Sequence, residues 1–298
     1  MRKNRVSKTE GLLNYSDLKK PSGKFIYWTM FTFLTILSLM CLIPVLWMFI
    51  SGFKTNEELY SIPPKIFPSR INLGLVVEIF KTANIAKYAM NSVWIIIGCL
   101  SVDVMFNGLA GYVLSRVKPK GSALLNSLIF WTMMLPGISM VPLYMTFVDM
   151  PIIHLNLTGS FLPLWMMAGT NAFNIFLFRN FFNSIPMDYI EAARIDGASN
   201  MKIFISIILP LAAPIISVVT IFSVIGSWSN FFWPYLILGN TDKEPISIML
   251  YNLTNAFSPF QANEQLLIMM IATIPSIIVY AIFSKRILGG INMSGIKG

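Results

Sequence analysis

Long apolar runs alternate with short polar breaks along this chain. The runs cover about Phe25 to Ile50, Tyr88 to Ser115, Ala123 to Thr146, Gly159 to Phe178, Ile203 to Ile225 and Leu266 to Phe283. Each is close to or beyond the ~20 residues a helix needs to cross a hydrocarbon core of ~30 Å. The pattern predicts an all-α, polytopic membrane protein with six transmembrane helices. One transmembrane domain would span 25–284, between polar tails at 1–24 and 285–298. The first run is long and has no small-residue cleavage site, so it reads as a retained span rather than a signal peptide. Breakers fall where loops or kinks are expected. Residues 61–70, SIPPKIFPSR, hold three prolines within six residues and exclude a regular helix there. Leu135-Pro136-Gly137 and Pro142 interrupt the third run, and Pro210 and Pro214 predict a kink in the fifth.

One polar break also reads as helix. Residues 186–202, PMDYIEAARIDGASNMK, begin with a proline suited to a first helical turn. Asp188 and Glu191 lie near that N-terminus, where the helix dipole favours negative charge. Ala192 and Ala193 form helix well and carry little bulk, so a partner surface could approach closely. Gly197 supplies a C-terminal break, and a second helix is expected from near Ser199.

Composition supports the membrane assignment: 55% of residues are hydrophobic and 12% charged, against about 25% charged in soluble domains. The net charge of +9 would suit nucleic acid, but its distribution suits a membrane better. With six spans, the side holding both termini carries sixteen Lys and Arg and the other side six. That bias makes both termini and the 186–202 break cytoplasmic. Cys41 and Cys99 both sit inside apolar runs and read as free thiols, with no metal site. The fragment Ser22-Gly23-Lys24-Phe25 lacks the leading glycine and the hydroxyl of a phosphate-binding loop, so this polypeptide is not expected to bind ATP itself. Nothing in the sequence assembles a catalytic cluster, and His154 reads as an ordinary loop histidine. The chain is therefore expected not to be an enzyme.

Polar residues inside the apolar runs are the candidates for a transport pathway. Asp103 is the most unusual, because a mid-bilayer carboxylate costs roughly 2.5–3.5 kcal/mol and should face protein or water. Asn107 lies one turn later on the same face. The pair reads either as substrate-facing or as an interhelical hydrogen bond. Asn171, Asn174, Trp228 and Asn230, with Trp233, are similar candidates, since amides beside aromatic faces suit sugar rings. Aromatics near an interface also serve as belt residues.

Glu191, Ala192, Ala193, Gly197, Ile207, Leu209 and Pro210, with Asp196 and Ala198, resemble the EAA loop of ATP-binding-cassette (ABC) importer permeases. Nearly 270 residues from about Phe25 also look like the maltose-type carbohydrate permeases, through WMFISGFKT, NSVWI, WTMMLPGISMVPLY, NFFWPYLIL and the Gly-Ile-Lys-Gly ending. The resemblance implies a type I importer fold and the shorter, six-span partner of a heterodimeric permease. It implies a second permease subunit, two ATPase subunits that use ATP and Mg at the cytoplasmic face, and an extracytoplasmic solute-binding protein docking on 51–87 and 239–265. The setting would be a prokaryotic plasma or inner membrane, with lipid around the spans and no nucleic acid. Residues 187–196 would be a coupling helix, with Glu191, Ala192, Ala193, Asp196, Gly197 and Ala198 at the ATPase, and the Pro210 and Pro214 kinks would pass on the displacement. The implied cargo is a sugar or oligosaccharide. A glycerol-phosphate or polyamine importer, or a secondary transporter using Asp103, remain as alternatives.

Overall fold

The computed structural model describes residues 20–134, 140–255 and 258–294. Most of the N-terminal tail, the Leu135-Pro136-Gly137 interruption and the Gly-Ile-Lys-Gly ending lie outside the described residues. The chain divides into a smaller unit, residues 1–72 with 262–267, and a larger one, residues 73–261 with 268–298.

In the smaller unit, Pro21–Ser51 forms one helix with proline at its first turn. Its side chains are exposed from Lys24 through Trp47, so an apolar surface runs all round it. Such a helix is built to lie in lipid or against another chain. Lys54 follows, with its ammonium 3.9 Å from the Trp47 ring centroid. Thr55 and Glu58 then close a capping box on the short helix Asn56–Leu59. Glu58 also accepts from the Ser69 backbone N–H at 3.1 Å.

The larger unit is organised on Ile85–Val117, a helix of 33 residues. It widens into π-helical turns at Asp103–Asn107 and Val113–Val117. Ile95, Cys99, Asp103, Asn107, Gly111 and Ser115, each four residues apart, are all buried. At Gly111 the neighbouring helix comes so near that an added Cβ would stand 2.7 Å from Phe178 Cβ and 2.9 Å from Arg179 N.

Among the described residues, three helices are long and apolar enough to cross a membrane: Pro21–Ser51, Ile85–Val117 and Ala262–Ile282. Asn200–Leu211 and Ala213–Ser229 make a fourth if taken together, but they meet at 79°. The bend falls at Ala212, between the two prolines foreseen as kink sites. Pro214 has no N–H to give to the carbonyl of Pro210, so the ladder opens there.

Several boundaries differ from the sequence expectation. The third apolar run appears as Ser122–Met134 and Met140–Val148. The fourth is not one continuous helix but Leu162–Ala168 and Ala172–Ser184, separated at Gly169-Thr170. Asn171 restarts the helix by accepting from Asn174 N. The 51–87 stretch, expected as loop, contains the helix Leu73–Thr82, with Ile79 buried. The last helix runs from Ala262 to Ser294, past the end of its apolar span at Ile282.

Candidate functional site

Two places bring the sequence candidates together. The first is the 186–202 segment. Its helix spans Asp188–Ile195, with Asp188 and Glu191 in the first turn. Pro186 lies one residue ahead of the N-cap Met187, outside the first turn proper. The helix ends in a Schellman turn: Ala198 N–H donates to Ala193 O at 2.9 Å and Gly197 N–H to Arg194 O at 3.0 Å. Gly197 has φ +75°, and a Cβ there would meet nothing within 4 Å. Its need for glycine is therefore set by the backbone alone. Ser199 caps the next helix, accepting from Lys202 N.

One edge of this short helix is taken up by the chain itself. Ile190 and Ala193 are buried with Tyr112, Phe178, Phe182, Ile203 and Phe204, and Ala198 packs against the same cluster. The smallness of Ala193 serves this internal core, which corrects the expectation that both alanines face a partner. Ala192 and Glu191 are exposed, as is Asp196. So are the apolar side chains of Tyr189 and Ile195, the latter 87% exposed. Below the segment, the Arg116 guanidinium donates to the carbonyls of Phe182 and Ile185. It thereby satisfies the end of the helix that leads into the loop.

The second place is an open-sided cavity of about 440 Å³, lined by Ile85–Val117, the two short helices 162–168 and 172–184, Ala213–Ser229 and the segment that follows it. Asp103, Asn171, Asn174 and Asn230 line it, with Trp233, Phe173 and Phe222. Asp103 Oδ1 accepts from Asn107 Nδ2 at 2.6 Å, and its Oδ2 from Asn174 Nδ2 at 2.7 Å. Asn107 also donates to Ala168 O at 2.8 Å. The two readings of Asp103 thus coincide: it bridges two helices and faces the cavity. Asn107 is fully buried behind it as part of that bridge and is not itself a lining residue.

Trp228 is the misplaced candidate. It lines a separate apolar crevice with Val93, Ile96, Val224, Ile225 and Pro275. The helix ends at Ser229 and Asn230 is extended, so the chain turns there and presents Trp233 to the cavity. Cys99, Ser223 and Ser227 are lining residues that the sequence reading missed. Cys99 shares the four-residue spacing that singled out Asp103 and Asn107, and that spacing could have found it.

Segment 241–246 is tied to the start of Ile85–Val117. Asn91 Nδ2 donates to Asp242 O and Glu244 O, and Ser92 Oγ accepts from Ile246 N at 2.9 Å. His154 stands apart in an exposed loop, 3.1 Å from Asp149.

The fold so described is that of a helical membrane permease. A bacterial ABC transporter involved in the import of the acidic polysaccharide alginate has a chain that superposes with a TM-score of 0.77, covering 89% of this chain and 98% of that one at 24% identity. The chain belongs to the binding-protein-dependent transport system inner membrane components, a family matched over residues 107–289. This membership sets aside the secondary-transporter alternative. Among its relatives is a polygalacturonan/rhamnogalacturonan transport system permease protein of Bacillus subtilis, 29% identical over 89% of this chain and 96% of the relative. An arabinooligosaccharides transport system permease protein of Halalkalibacterium halodurans is 26% identical over 94% of this chain and 100% of the relative. A diacetylchitobiose uptake system permease protein of Streptomyces coelicolor is 28% identical over 87% and 85%.

Proposed function

We propose that this chain is one permease subunit of an ATP-driven importer for a sugar or oligosaccharide. The cavity beside Asp103 carries the reading. Its volume falls at the low end of the ~300–1,000 Å³ usual for small-molecule sites. Its wall combines amides with aromatic faces, which match the hydroxyl rim and C–H faces of a sugar ring. The names of the relatives point to the same class of cargo.

A second permease would complete the pathway, and two ATPase subunits would bind at the cytoplasmic face. The exposed edge of Asp188–Ile195 is the docking surface for one of them. Tyr189 and Ile195 leave apolar area uncovered on a segment outside the apolar runs, which favours a protein partner. Glu191 would meet a basic residue of the ATPase. The excess of Lys and Arg on that side supports a cytoplasmic setting for both termini. ATP-driven closure would move the 188–195 helix, and the 79° bend at Ala212 would pass the displacement to Ala213–Ser229 along the cavity wall.

The test is reconstitution with the neighbouring gene products, measuring ATP hydrolysis across a sugar panel with and without the binding protein. We expect stimulation that needs both the binding protein and one sugar, and that falls at least about tenfold in Glu191→Ala. If no ATPase copurifies, or no sugar stimulates, the reading is wrong.

A further inference from the structure

We infer that the cavity beside Asp103 admits uncharged sugars and turns away uronates, with Asp103 as the specificity-determining residue. The inference rests on the sugar reading above and narrows its substrate class.

Among the described residues lining the cavity, none is Lys, Arg or His, and Asp103 is the one acidic side chain. The rest are asparagines, serines, a thiol, and apolar or aromatic groups. Asp103 cannot swing aside, because Asn107 and Asn174 each hold one of its oxygens. Asn107 is fixed in turn by Ala168 O, which uses its second amide hydrogen. Each carboxylate oxygen of Asp103 keeps a further lone pair for a donor. A sugar hydroxyl supplies that donor. A uronate carboxylate supplies only acceptors, and this chain's part of the wall offers it no cation. Burying a charge without a counter-charge opposite acceptor oxygens is the repulsive element from which specificity is built.

Gly226 lines the same cavity, is exposed, and has nothing within 4 Å of an added Cβ, so Gly226→Cys is the reporter. The native cysteines, exposed Cys41 and buried Cys99, are removed as Cys41→Ser and Cys99→Ala. In the assembled complex, without binding protein, N-ethylmaleimide labelling of the thiol at position 226 would be followed by the intact mass of this chain. The probes are neutral trisaccharides, among them α-1,4-galactotriose, set against α-1,4-trigalacturonate, which differs from galactotriose only in its C6 carboxylates. We expect at least one neutral sugar to slow labelling by about threefold or more while trigalacturonate does not. Trigalacturonate should begin to protect in Asp103→Asn. It should also do so in Ser223→Lys, which adds a cation to the wall without touching the Asp103 bridge. Equal protection by neutral and acidic sugars in the parent protein, or no gain of trigalacturonate protection in either variant, overturns the inference. Stimulation of ATP hydrolysis is read in parallel with the binding protein present. If sugars stimulate but none protects the thiol at position 226, the sugar reading stands and this inference falls. If no sugar does either, both fall.

Discussion

Two apolar helices of similar length, Pro21–Ser51 with 31 residues and Ile85–Val117 with 33, differ in what their polar side chains reach. In the first, Thr29 and Ser38 donate to Phe25 O and Leu34 O, each one turn back in the same helix. Among the described residues these side chains bond no other element, and the surface stays mostly apolar from Lys24 to Trp47. Serines of the second helix also bond within it, but its polar side chains reach further too. In the second, Ser92 accepts from Ile246 N, Asp103 receives Asn174 from another helix, and Asn107 reaches Ala168 O. Apolarity says where a helix can lie. Polar atoms bonded outside their own helix say what it holds together. The first helix is the more apolar of the two, and it is the less informative.

The comparison can be broken most severely at Gly111. Leucine there would drive its side chain into Phe178 and the Arg179 backbone, an overpacking that costs about 1–3 kcal/mol or more. Gly111→Leu should give little folded protein by size-exclusion chromatography in detergent. Comparable in size is Asp103→Ala, which strands the buried amides of Asn107 and Asn174. About 1–3 kcal/mol is expected for each unsatisfied donor, seen as a clear drop in thermal midpoint. Ser38→Ala in the first helix should change that midpoint hardly at all, within about 0.5 kcal/mol. Equal losses in Asp103→Ala and Ser38→Ala would erase the distinction drawn here.

A smaller effect on stability, with a larger one on transport, is expected at Gly197. A Cβ there meets nothing within 4 Å, but leucine is forced into a left-handed conformation costing about 1–2 kcal/mol. Gly197→Leu should reach the membrane at normal levels yet transport poorly for the ATP it hydrolyses. Gly197→Asn, which tolerates that conformation, should recover much of the loss. Smallest is the loop after the first helix. The Ser69 side chain, then the Thr55 backbone N–H, holds the Glu58 carboxyl below its ordinary value. A depressed carboxyl stabilises the fold above its unfolded pKa of ~4.3, and that contribution is lost as pH falls through the folded value. Amide exchange over residues 55–70, corrected for its intrinsic pH dependence, should therefore quicken below about pH 4. Glu58→Gln should flatten the response.

The legible parts of this protein were those whose cause is local. The loop helix, its Gly197 stop and the Ser199 restart are all written in cap and turn residues, and they fall within a residue or so of expectation. The shared face of Asp103 and Asn107 follows from helical spacing. Their partner Asn174 lies 71 residues from Asp103, and nothing in either segment announces the pairing. Ala193 was misjudged for the same reason: a small residue on a surface-like helix looks free until Phe178, Phe182 and Phe204 arrive from elsewhere. Trp228 was assigned by composition, whereas its direction depends on where the helix stops, two residues before the aromatic cluster. The break at Gly169-Thr170 was hidden by an apolar run that continues across it.

The six buried residues from Ile95 to Ser115 carry a geometric consequence. On a regular α-helix, positions four apart advance by about 40°, so five such steps would wind a stripe roughly 200° round the rod. The last residue would then face away from the first. The two π-helical turns fit more residues into a revolution and cancel that winding. The stripe becomes a straight keel along one side of the helix. Its upper part borders the cavity, and its lower part seats the aromatic cluster under the 188–195 helix. The two ends are held in phase, so a single residue deleted within 103–107 would turn one end against the other by about 100°. The spacing along this keel is as much a part of the machine as the residues set into it.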